Sequence, residues 1–136
     1  MKRLGIFWGL LFLSGGALSF VPGVVRDGLY LGVFRVNTAH NLLHLATGVV
    51  FLLASLLGTR AARLWFQLFG TFYAAMAATG FWVGDGMICG LIPNNRYDSW
   101  GHAGLALIML VIGFVFLHLA DALFPATASE PGLRAL

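Results

Sequence analysis

Charge is the scarcest thing in this chain. Asp, Glu, Lys and Arg make up 10% of its 136 residues and hydrophobic residues 60%, where a soluble globular domain carries roughly 25% charge. An ordinary water-facing surface is thereby excluded, and the mean hydropathy of +0.89 agrees. Charges are nearly absent from four stretches, residues 4–20, 38–57, 61–83 and 99–124. Each is close to the ~20 residues a helix needs to cross the hydrocarbon core of a bilayer. The runs are apolar on every side, which does not suit a closed β-barrel built from short alternating segments. The expected fold is therefore all-α, a four-transmembrane-helix bundle in one membrane domain over residues 1–124. The segment PATASEPGLRAL, 125–136, has no apolar period and reads as an interfacial or flexible tail.

Other absences narrow the function. A single cysteine, Cys89, excludes an intrachain disulfide. Neither Cys-x-x-Cys-His nor His-Glu-x-x-His occurs, so no covalent haem attachment and no zinc-protease signature is present. The net charge of +3 comes from the membrane flanks, not from a clustered basic face, which sets nucleic acid aside as a partner. One side of the membrane receives Lys2, Arg3, Arg60, Arg63 and, in the tail, Arg134. The other receives Arg26, Arg35 and Arg96 with Asp27, Asp85 and Asp98. This bias predicts both termini in the cytoplasm. Tyr30, Trp82, Tyr97 and Trp100 toward the outside, and Trp8 and Trp65 toward the inside, suit the two aromatic belts.

What is present is an internal echo. Asn37-x-x-His40-Asn41-x-x-His44-x-x-x-Gly48 returns as Asn95-x-x-Asp98-Ser99-x-x-His102-x-x-x-Ala106, shifted by 58 positions, and each copy opens an apolar run. The spacing predicts two parallel helix-pair repeats, 3–58 and 61–124, joined by a short turn and related by an axis along the membrane normal. Lys2, Arg3 and Gly15-Gly16-Ala17 also fit a signal peptide, but the first run is the counterpart of the third, with Arg3-Leu4 echoed by Arg63-Leu64. It is therefore expected to be a retained helix. Gly70, Ala74, Ala77 and Ala78 on the third helix, and Gly101, Gly104 and Gly113 on the fourth, are expected to serve helix packing. Residues 21–36 and 84–94 are apolar for loops and are expected to fold back as lids over the motifs.

At about 100° per residue the motif positions share one helical stripe, so each copy aligns its polar groups on one face. Two chemistries follow. In the first, Asn37 and Asn95 cap helices 2 and 4, and His40 and Asp98 reach back to the caps. His44 and His102 then bond to the opposite cap as a structural clasp. In the second, His40 and His44 from one helix and Asp98 and His102 from the other hold a transition metal such as Zn, Fe, Mn or Cu. Asn41 and Ser99 would then orient the ligands through hydrogen bonds. A haem between His44 and His102 is a third alternative. His118 and Asp121 read as interfacial residues. Ser99, His102 and Asp98 lack the mutual geometry of a catalytic triad, so no catalytic residue is assigned.

The runs LGVFRVNTAHNLLHLATGVV and GLIPNNRYDSWGHAGLAL resemble a bacterial family of small four-helix membrane proteins described only as a domain of unknown function. The resemblance covers nearly the whole chain. Its most specific part is Asn37, His40, Asn41 and His44; Ser99 departs from the asparagine usual in the second motif. It implies a four-helix integral membrane protein, and it carries no activity, substrate or cofactor; with the charge bias of the flanks, the expected place is the bacterial inner (plasma) membrane with the motif face outside. Residues and resemblance together favour a binding or structural role in the lipid bilayer over an enzymatic one. The outer surfaces suit packing as an accessory subunit or homo-oligomer, and an enzyme would require the metal to keep an open position.

Overall fold

The structure, a computed structural model, describes residues 1–115. His118, Asp121 and the segment 125–136 lie outside the described residues.

The chain runs α1 (Lys2–Leu18), β1 (Val25–Arg26), β2 (Leu29–Tyr30), β3 (Phe34–Arg35), α2 (Thr38–Leu57), α3 (Thr59–Val83), β4 (Gly86–Ile88), β5 (Ile92–Asn94) and α4 (Arg96–Leu110), which runs on into a π-helical turn, Val111–Val115. Mostly helical, the fold is not all-α. The two connections expected to be irregular contain an antiparallel three-stranded sheet, β1-β2-β3, and a hairpin, β4-β5. The reason is turn chemistry. Asp27 and Gly28 take left-handed backbone angles between β1 and β2, and Leu31-Gly32 and Cys89-Gly90 do so in the turns of the other two hairpins. Paired left-handed residues give a turn whose twist matches antiparallel strands. At Leu31 and Cys89 no glycine announces it.

Among the described residues, two segments are long and apolar enough to cross a membrane, Thr38–Leu57 and Arg96–Val115. At 17 residues α1 is shorter, and Gln67, Thr71 and Thr79 dilute the hydropathy of α3. α1 packs along α2 and α3 along α4, and α2 against α3 joins the pairs. Glycine sets both approaches. A Cβ at Gly48 would stand 2.8 Å from the carbonyl oxygen of Gly9, and one at Gly70 would stand 3.0 Å from the backbone nitrogen of Leu110. Gly113 likewise meets α3, whereas Gly104 meets nothing within 4 Å and so does not serve packing. In the π turn the Gly113 carbonyl accepts from Arg63 Nε and Gln67 Nε2, both at 2.9 Å.

Aromatic side chains fill the centre. Phe12 stacks on Phe51 at 6.2 Å and on Tyr73 at 5.6 Å, and Phe66 meets Phe51 edge-on at 4.9 Å. Large apolar side chains also stand outside, with Leu57 and Trp82 81% and 91% exposed, while the polar His40, Asn41, Asn94, Asp98, Ser99 and His102 are buried.

Candidate metal centre

Both motif helices begin where their asparagines allow. The backbone N–H of His40 donates to Asn37 Oδ1 at 2.8 Å. On α4 the capping box is complete: Tyr97 N–H (2.8 Å) and Asp98 N–H (3.0 Å) donate to Asn95 Oδ1, and Asn95 N–H donates to Asp98 Oδ2 at 2.9 Å. The two copies differ at the third helical position. A carboxylate there turns back to the cap, while the imidazole of His40 turns aside to the carbonyl of Arg35, with Nδ1 at 3.1 Å.

A carbonyl only accepts, so Nδ1 of His40 carries a proton, and in the neutral ring Nε2 keeps its lone pair. This Nε2 lies 3.1 Å from His44 Nε2. One nitrogen each of His40, His44 and His102 falls within 4.8 Å of the others. Tyr73 lies against the His102 ring at 5.4 Å and Phe12 against that of His44 at 5.3 Å, so aromatic walls hold both imidazoles. His102 is 5% exposed, and its Nδ1 is buried without a hydrogen-bond partner. An orphaned ring nitrogen beside two converging imidazoles is chemically a vacant donor.

Asp98 does not join this set. Its Oδ2 accepts from Arg35 N–H at 3.0 Å as well as from Asn95, so backbone donors already hold one oxygen of the carboxylate expected to be a ligand. Ser99 is tied to Asn94, whose Nδ2 lies 3.0 Å from Ser99 Oγ, and to the Asn95 carbonyl at 3.2 Å. Asn41 is buried and lines the same cavity as the histidines. Among the described residues, no hydrogen bond joins Asn41 or Ser99 to an imidazole. Nor do His44 and His102 bond to the opposite cap. Turns make that crossing instead: Asn37 Nδ2 donates to Leu91 O and Asn95 Nδ2 to Val33 O, each at 2.8 Å. Donors and acceptors in these two bonds are both 58 positions apart.

Asn94 is the residue that sequence reasoning missed. Fully buried, it donates from Nδ2 to the carbonyls of Gly80 (3.1 Å) and Gly84 (2.8 Å), closing the end of α3. The first motif has Val36 at the matching position, so the echo carried no signal for it.

The histidines face a half-enclosed cavity of about 420 Å³ whose walls come from α1, α2, α4 and the first sheet. Over residues 2–115 the chain matches the family described as Domain of unknown function (DUF4383). The chain belongs to this family. No curated protein and no solved structure matches it. The family therefore brings no activity with it, and the chemistry must be read from the site. Three imidazoles suit a borderline transition metal and leave a fourth position open.

Proposed function

We propose that this chain is an integral membrane protein of four spanning helices in two like-oriented pairs, which binds a transition-metal ion through His40, His44 and His102. The observation that carries the reading is the convergence of the three ring nitrogens. The 3.1 Å between His40 and His44 Nε2 falls in the range of about 2.9–3.4 Å for two nitrogens bound at about 2.0–2.1 Å to one ion. The Arg35 carbonyl does for His40 what outer hydrogen bonds do in metal sites, fixing tautomer and ring direction. His102 closes the set by a small side-chain adjustment, which would give its orphaned nitrogen a partner. Zn, Fe, Mn and Cu all fit the donor type. A haem on His44 and His102 is not supported, because His40 stands against His44 where a porphyrin plane would have to pass.

The clasp expected of His44 and His102 has no support, because neither imidazole bonds to the opposite cap; a different clasp takes its place. Asn37, Asn95 and Asp98 form it with the turns, which leaves the histidines free for a ligand. Exposed leucine and phenylalanine outside and polar groups inside support the four-span reading, with lipid or another membrane subunit against the outer faces. The positive flanks support cytoplasmic termini and a site near the opposite face of a plasma membrane. Elemental analysis of the purified protein tests the metal: near-stoichiometric content is expected, and metal-free protein after purification without chelator would defeat the reading.

A further inference from the structure

The cavity is the larger part of the site, and an ion would fill only its inner end. α1 and α4 both line it but do not pack along each other. Between them the wall is missing at two glycines. A Cβ at Gly15 or at Gly104 would meet nothing within 4 Å, unlike those at Gly16 and Gly113, which are tightly packed. The first sheet covers the end of the site, with Phe34 3.4 Å from a Cβ placed on Gly101. The way in is therefore sideways, at the level of the helices.

We infer that a bilayer-soluble amphiphile with a planar, oxygen-bearing ring enters between α1 and α4 and sets its oxygen against the histidine cluster. This rests on the cluster proposed above and names its ligand class. Tyr30, Phe34 and Trp100 surround the space, and flat aromatic walls favour a flat partner. At about 420 Å³ the cavity suits a small ring with part of a chain. The oxygen follows from what lies at the inner end. An open metal position takes an oxygen donor, and an imidazole N–H donates to one, whereas a hydrocarbon tail would leave the buried Nδ1 of His102 unpaired. A water-soluble ligand is disfavoured by the apolar walls and by the sheet across the end.

The test is native mass spectrometry of the full-length protein released from detergent, with decylbenzoquinone as the probe and elemental analysis of the same samples. One saturable adduct per chain is expected. Gly104→Leu projects into open space on a helix, so it should keep fold and metal while lowering the adduct at least tenfold. Gly15→Leu, from the facing helix, should do the same. His44→Ala should weaken the adduct if the ring oxygen meets the cluster. An adduct undiminished in both glycine variants, or in His44→Ala, overturns the inference, as does phosphatidylcholine that the probe fails to displace. Saturable probe binding to metal-free wild-type protein defeats the metal reading and leaves this one standing. Stoichiometric metal without any adduct does the reverse.

Discussion

Imidazole against carboxylate at the third position of a helix gives the two motif copies different roles. Asp98 spends its oxygen on backbone N–H groups, while His40 uses one nitrogen on a carbonyl and keeps the other for the cluster. The two residues therefore respond differently to removal. His44→Ala should lower metal affinity by on the order of 100-fold or more, because a direct ligand is lost where outer partners alone cost about 10–100-fold. Asp98→Asn should keep the metal and lose thermal stability; equal metal loss in both variants, measured by elemental analysis, would return Asp98 to the ligand set. Asn95→Ala removes the cap and the bond to Val33, for a loss of about 2 kcal/mol in a denaturation series. An unchanged midpoint would show that the crossed bonds do not hold the two halves.

Helices here approach through glycine, so substitution should sort by what a new side chain meets. Gly48 faces the backbone of Gly9 and Leu13, both 2.8 Å from a notional Cβ. Backbone cannot move aside without separating α1 from α2. Gly48→Leu is expected to lower the melting temperature by several degrees or prevent folding, because close backbone approach drives association of membrane helices. Gly104→Leu should leave it unchanged or raise it, since glycine inside a helix costs about 1 kcal/mol against a good helix former. Thermal unfolding followed by circular dichroism decides; the reverse order would mean that the glycines do not mark the contact surface.

For the whole molecule the proposed seating in a bilayer has a direct test. Cys89, exposed in the turn between β4 and β5, is the single cysteine and a native reporter. A membrane-impermeant maleimide added to intact cells should label it, and Cys89→Ser should abolish the signal. Labelling only after the cells are opened would invert the sidedness argued from Lys2, Arg3, Arg60 and Arg63. A cysteine moved to Thr59 in the Cys89→Ser background should show the opposite pattern. The same pattern at both positions would mean that the connecting helix, α3, does not span.

By itself the sequence determined the helices. The runs read at 38–57 and 61–83 became Thr38–Leu57 and Thr59–Val83, because apolar length, and for the first of them the Asn37 cap, are local properties that act the same way in any surroundings. The sheets were less legible. Asp27-Gly28 is a turn signal, but Leu31 and Cys89 adopt left-handed angles that their side chains do not advertise. The membership of the site was decided only by tertiary structure. His40, His44, Asp98 and His102 share one stripe spacing, and nothing in the spacing says which of them will find another partner. Arg35, 63 residues before Asp98, supplies the N–H that engages the carboxylate and the carbonyl that orients His40. The cavity is equally non-local: it exists where α1 and α4 fail to meet, at glycines that look in sequence like those that hold the other helices together.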